Sequence, residues 1–157
     1  MKHKSFSHMN CSLAQTLEIV GERWTLLILR DAFFGSKRFG QFERSLGIAK
    51  NILTARLAVL TAEGILDKRD SGDGAHAIYV LTEKGLDLQP TLISMTHWGD
   101  KYKANPAGDR LVFVDREQGE PIRRMSVIAQ DGRTLAPREI QAVPGPGLTD
   151  SEQFDDA

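Results

Sequence analysis

The sequence predicts an α+β chain that is mostly helical, and three observations predict it. Leu53, Leu57 and Leu60 recur at spacings of four and three just after a break at Gly47, which marks an amphipathic helix behind a tight turn. Directly after Gly64 the period changes to two short strand-like runs around Ser71-Gly72-Asp73-Gly74, a strong turn signal. A long apolar stripe then runs from Leu88 through Leu92, Met95, Trp98 and Tyr102. Helix, turn, helix and hairpin in that order is the layout of a winged helix-turn-helix. The long helix and a small β-ribbon extension follow it.

Residues 1–10 are polar and are expected to be flexible. Ser12 is the expected cap of a helix over 12–20, with Leu13, Leu17 and Val20 as its buried stripe and Gly21 as its end. A second helix is expected from Arg23 or Trp24 to Phe33. It is apolar on most sides, so it should lie at the centre of the core. Gly35-Ser36-Lys37 breaks it. A short helix from Arg38 or Phe39 to Ser45 should bury Phe39, Phe42 and Leu46. The helix carrying Leu53, Leu57 and Leu60 starts near Lys50 and stops at Gly64. Strands are expected over 65–70 and 75–81, with Lys68, Arg69 and His76 near the hairpin. Thr82 should cap the long helix to about Tyr102, in which Pro90 predicts a kink or a restart.

After 105 the character changes. The runs 111–114 and 125–128 suggest short strands, with a third around 139–143, separated by Gln118-Gly119-Glu120-Pro121 and Gln130-Asp131-Gly132. The expected organisation is therefore a flexible 1–10, a winged-helix domain with its long helix over 11–104, a ribbon appendage over 105–147 and a disordered acidic tail over 148–157.

Composition narrows the function classes. With 157 residues, 41% hydrophobic and 26% charged, the chain can bury one substantial core. No apolar run approaches the roughly 18 residues of a membrane span, and the N-terminus lacks the apolar core of a secretory signal. The single cysteine, Cys11, excludes an internal disulfide and makes a reducing, cytoplasmic setting the simple expectation. The net charge of −1 hides an asymmetry. Residues 1–104 hold 14 Lys+Arg against 11 Asp+Glu, whereas 105–157 hold 6 against 10. Between Arg23 and Arg69 the balance is 9 to 4, a positive stretch around the helix that starts at Lys50. That is where contacts to phosphates would need it.

The same helix has the residue types of a DNA-reading element. Lys50, Asn51, Thr54 and Ala55 fall off its apolar face in the first turn and a half. Short side chains allow close approach to base edges, while Lys and Asn supply donors and Asn also an acceptor. A core helix with a merely solvated face is the plainer alternative. No glycine-rich phosphate loop, metal-spaced Cys/His cluster or catalytic triad is visible, so no enzyme activity, cofactor or metal is expected. His3, His8, His76 and His97 read as surface or interface residues. Cys11 stands at the start of the first helix, where backbone N–H groups and the dipole favour a thiolate. It is a candidate redox or electrophile sensor, or else a passive cysteine packed under the long helix. The long helix has more apolar area than its own domain needs, which predicts a partner, most simply a second copy.

Several blocks resemble the HxlR-type winged-helix transcriptional regulators of bacteria. The first spans Cys11-Ser12-Leu13 and then Leu17-Glu18-Ile19-Val20-Gly21-Glu22-Arg23-Trp24-Thr25-Leu26-Leu27-Ile28-Leu29. Arg38-Phe39, Leu46-Gly47-Ile48, Leu53-Thr54-Ala55-Arg56-Leu57 with Leu60 and Gly64, Tyr79-Val80-Leu81-Thr82-Glu83-Lys84-Gly85 and Trp98-Gly99 continue it in order. The resemblance covers about residues 11–103. It implies a homodimer joined by its first and last helices, with two recognition helices in successive major grooves of operator DNA. It also implies oxidant, quinone or aldehyde sensing in some members, often through a cysteine at the place of Cys11. Ala49 departs from the Ser or Thr cap usual before the recognition helix. The hairpin tip lacks the usual proline and carries Asp73. In the ribbon, Gln118-Gly119 and Asp131-Gly132 hold places where some longer members repeat a Cys-Gly pair, so metal binding is not expected there.

The resulting expectation is a dimeric regulator without membrane attachment. Lys50, Asn51, Thr54 and Ala55 would face base edges, and Arg56 would hold a phosphate or brace the helix. Thr25, Arg38 and Arg44 would touch the DNA backbone, and Lys68 and Arg69 would serve the wing. Leu13, Leu17, Leu88, Leu92, Met95, Trp98 and Tyr102 would form the dimer interface. Two rivals are a winged helix that binds protein instead of DNA, and a ligand-binding or hydrolytic protein built on the ribbon.

Overall fold

The computed structural model describes residues 5–72 and 77–148; the expected hairpin tip from Asp73 to His76, with the expected tail beyond Leu148, lies outside the described residues. The order is α1 (Ser12–Val20), α2 (Arg23–Phe33), α3 (Phe39–Leu46), α4 (Lys50–Ala62), β1 (Leu66–Arg69), β2 (Ile78–Leu81), α5 (Glu83–Leu86), α6 (Gln89–Tyr102), β3 (Val127–Ile128), β4 (Thr134–Leu135) and a 3-10 turn, Pro137–Glu139. This is the mostly helical α+β class expected. The chain divides into two compact units, 1–92 and 93–157.

The first unit is organised by burial. Ile28 and Leu29 of α2, Phe42 of α3 and Leu53, Leu57 and Leu60 of α4 meet in one cluster with Ile65 and Leu66. The helices are those the apolar spacing predicts, because each must turn one face to this cluster. The cap of α1 lies one residue before the expected Ser12. Cys11 holds the cap position with an extended backbone and no side-chain bond, and Ser12 is already helical. The approach to α1 is fixed upstream, where the Cys11 N–H donates to the Met9 carbonyl at 2.9 Å and the Phe6 N–H to the Glu18 carboxylate. The stripe of α1 also differs: Val20 and Ala14 are buried, but Leu13 and Leu17 are 66% and 43% exposed.

β1 and β2 pair antiparallel, Leu66 opposite Leu81 and Arg69 opposite Ile78. A third edge was not legible in the sequence: Arg38 bridges Ile78, and the Tyr79 N–H donates to the Lys37 carbonyl at 2.7 Å. The chain entering α3 is thereby tied to the hairpin. Thr82 ties the other end. Its hydroxyl donates to the Gly64 carbonyl at 2.6 Å and accepts the Gly85 N–H at 3.1 Å, closing α4 and capping α5 together. Gly85 must be glycine at this crossing, since a Cβ would stand 2.3 Å from the Ile65 oxygen. The expected long helix restarts: α5 ends at Leu86 and α6 begins at Gln89. Pro90 then lies in the first turn, where a missing N–H removes no helix bond. Leu88 and Leu92, expected on the dimer face, pack partly buried against the first unit's own core.

The second unit is held by polar contacts. Arg110 donates to the buried Asp100 at 3.3 Å and to the Lys103 carbonyl at 2.8 Å. The Met125 N–H donates to His97 Nδ1 at 3.3 Å, and the His97 ring meets Phe113 edge-on with centroids 5.8 Å apart. The expected ribbon is reduced. Val127–Ile128 pairs antiparallel with Thr134–Leu135, while 111–114 contributes only the bridge from Val114 to Pro121. Its flanking bonds run from the Asp115 N–H to the Glu120 carbonyl at 2.8 Å and from the Ile122 N–H to the Phe113 carbonyl at 2.9 Å. No strand forms at 139–143, where the 3-10 turn intervenes. Two aspartates organise the turns. Asp115 accepts the N–H groups of Glu117 and Gln118 at 2.7 and 3.2 Å. Asp131 accepts from the Arg133 guanidinium at 2.8 Å and the Arg133 N–H at 3.1 Å, which holds its carboxyl below the ordinary value of 3.8.

Candidate nucleic-acid interface

The turn between α3 and α4 is built by Gly47 at φ 59°, a left-handed conformation that glycine adopts without strain, and its N–H closes α3 on the Glu43 carbonyl. Ile48 is buried beyond it and pins the turn to the core. Ala49 then starts α4 with no side-chain cap, as its methyl group dictates. Leu53, Leu57 and Leu60 face inward, and at about 100° per residue Asn51, Ala55 and Ala58 are left on the outer side. Lys50, Asn51, Thr54 and Ala55 are all exposed on this rigid helix. Lys50 Nζ stands 3.8 Å from Glu43 Oε1, but with 76% of the lysine side chain exposed the pair holds it weakly.

The supporting residues separate into distinct situations. Arg38 and Arg44 are exposed. Arg38 is held at the α3 entrance by Gln41, whose side chain accepts the Lys37 and Arg38 N–H groups at 2.9 and 2.8 Å. Gln41 was missed in the sequence, although a Gln three residues after a helix cap is the signal of a capping box. Arg56 is half-buried, and its Nε is buried with no hydrogen-bond partner among the described residues. Lys68 is exposed, while Arg69 is paired with Asp67 at 2.8 Å along the same strand. Thr25 corrects the expectation. It is 1% exposed on the face of α2 that carries Ile28 and Leu29, so its side chain has no surface to offer a phosphate. The spacing of three and four from Thr25 to those residues could have shown this.

Cys11 is a free, exposed thiol. Met95, Trp98 and Tyr102 on α6 are 52%, 61% and 57% exposed, with the Trp98 and Tyr102 rings 5.1 Å apart. Among the described residues no helix is long and apolar enough to cross a membrane. No group of His, Cys, Asp and Glu among them is arranged to hold a metal ion.

This arrangement has known counterparts. The sequence model of the HxlR-like helix-turn-helix family matches residues 19–106. The HTH-type transcriptional regulator Rv3095 of Mycobacterium tuberculosis is 40% identical over 138 residues, which cover 87% of this chain and 87% of that one. The crystal structure of the transcription factor PA1607 superposes with a TM-score of 0.83 at 39% identity, covering 90% of this chain and 100% of that one. The reduced form of the transcriptional regulator YodB from B. subtilis superposes with a TM-score of 0.52 at 30% identity, covering 64% of this chain and 100% of that one. The redox regulator HypR in its reduced form gives 0.56 at 29% identity, over 59% and 94%. With an exposed α4 set behind a glycine turn and a hairpin at its flank, the chain belongs to the HxlR-like helix-turn-helix family of DNA-binding transcriptional regulators.

Proposed function

We propose that the chain acts as a homodimer that binds operator DNA through α4 of each copy, and that Cys11 couples this binding to an oxidant or electrophile. The observation that carries the DNA reading is the exposure of Lys50, Asn51, Thr54 and Ala55 on a helix whose opposite face is locked into the core. Arg38 and Arg44 supply positioning contacts to phosphates, Lys68 and Arg69 extend them along the hairpin, and Arg56 holds α4 in place. Phosphate contacts give affinity and the few base contacts give specificity. The homodimer reading is supported by apolar side chains that each unit leaves in water, Leu13 and Leu17 on α1 and Met95, Trp98 and Tyr102 on α6. Leu88 and Leu92 would join an interface only with the part of their surface that the core leaves uncovered. The redox reading is supported by the exposed thiol of Cys11 and by likeness to HypR, a redox regulator.

The test is a mobility shift on DNA from the protein's own promoter region, with reduced protein and again after a mild electrophile or oxidant. Specific binding that treatment abolishes in the wild type but not in Cys11→Ser establishes the thiol switch. Specific binding indifferent to treatment keeps the regulator and makes Cys11 a packing residue. Absence of specific binding in both states favours a protein-interaction module. In the same assay Lys50→Ala and Asn51→Ala reduce discrimination between sites. Arg38→Ala weakens all sites alike and lowers the salt slope by about one. Equal, small effects from all three would remove these roles.

A further inference from the structure

The outer side of α4 carries an apolar row that neither the core nor the polar residues at its start account for. Ile52 and Val59 are each 37% exposed, and Ala55 and Ala58 are exposed with them. Ile52, Ala55 and Val59 follow one another at steps of three and four, so they line one strip of the helix. Their strip is distinct from that of Leu53, Leu57 and Leu60, which are buried. Beside the row, in the first two turns, Asn51 and Thr54 are the exposed side chains with neutral hydrogen-bonding groups. A partner for this face must meet two conditions. The first is anionic character, which matches the stretch from Arg23 to Arg69 with its 9 basic residues against 4 acidic ones. The second is small apolar groups set along the first three turns of a helix.

The major groove of duplex DNA meets both conditions where thymines occur, because thymine offers a 5-methyl group there and cytosine offers an amino donor. An isoleucine against the methyl gains apolar contact. Against the amino group it strands a donor that water would otherwise satisfy. Asn51, one residue before Ile52, has the paired acceptor and donor that match the N7 and N6 edge of adenine. Building on the operator-binding reading of α4, we propose that Ile52, with Ala55 and Val59, reads thymine methyl groups. The half-site is then A·T-rich, with thymine methyls directed at α4 and an adenine opposite Asn51.

The experiment starts from reduced, full-length protein and a library of random DNA duplexes. Recovered duplexes are remade with deoxyuridine in place of thymidine, which deletes only the 5-methyl group. The expected result is an enriched A·T-rich half-site whose deoxyuridine copy binds about fourfold more weakly per contacted methyl. Ile52→Ala should bind the thymidine and deoxyuridine duplexes more nearly alike, with an unchanged salt slope and an unchanged melting curve. An enriched site that binds equally well with thymidine and deoxyuridine overturns this inference and leaves the operator reading standing. A sequence-independent loss of binding in Ile52→Ala also overturns it. No enrichment at all overturns the operator reading and this inference together, and assigns the apolar row to a protein partner.

Discussion

Leu57, in the middle of α4, is 1% exposed, whereas Val127, in the paired strand of the ribbon, is 53% exposed. Around Leu57, helices from different parts of the chain turn their apolar faces to one cluster. Around Val127 the structure is made of short backbone pairings and aspartate turns, and its neighbour Ile128 is 55% exposed too. The first region is ordered by removing side chains from water, a non-local effect that ties its elements together. The second is ordered by local hydrogen bonds, each with a net contribution of about 0.5–1.5 kcal/mol. The two regions should therefore respond differently to the same kind of truncation.

The largest effect is expected in the first region. Leu57→Ala should destabilise it by about 2–5 kcal/mol, since the lost contact is compounded by a cavity that neighbouring helices cannot fill. Val127→Ala should stay within about 0.5 kcal/mol, as for a surface site. Denaturant unfolding of the two variants, followed by helical circular dichroism, makes the comparison. A Val127→Ala effect as large as that of Leu57→Ala would show that a partner covers the ribbon in the assembled protein.

Thr82→Ala sharpens the comparison by removing polar contacts from within the packed region. One hydroxyl both caps α5 and holds the Gly64 carbonyl. Its loss should cost about 0.5–2 kcal/mol, and Thr82→Ser should restore most of it. If the serine variant melts with the alanine variant, the methyl group rather than the hydroxyl secures this corner.

The same contrast explains what the sequence made legible. The spacing of Leu53, Leu57 and Leu60 reports burial on one helical face, and it located α4 with its outward residues. The Thr82 cap was legible because cap chemistry is local. The edge pairing at Arg38 was not, because a bridge one residue long has no period to detect. At Thr25 the hydroxyl suggests a surface contact while the spacing to Ile28 and Leu29 puts the residue on the buried face, and the spacing decides. Leu13 and Leu17 follow the helical period yet stay exposed, so periodicity marks an apolar face without saying which chain covers it. In the ribbon, the apolar run 111–114 suggested a strand, but only Val114 pairs, and the turn chemistry of Asp115 bends the chain directly after it.

The smallest expected effect tests that turn chemistry directly. Arg133 holds the Asp131 carboxyl below its ordinary value of 3.8, first through its side chain and then through its backbone N–H. A lowered value means that the folded turn favours the carboxylate. The contribution is therefore present above the ordinary carboxylate range and is lost as pH falls through the folded-state value. Arg133→Met removes the larger cause and keeps the backbone donor. The Asp131 titration, followed by NMR, should move upward only part of the way to 3.8. Salt should narrow the gap between wild type and variant, because the pair is open to solvent. A midpoint unmoved by the substitution would mean that the Arg133 N–H alone holds the carboxylate. The turn would then be as independent of side-chain charge as the glycine turn before α4, and the two regions would differ in burial only.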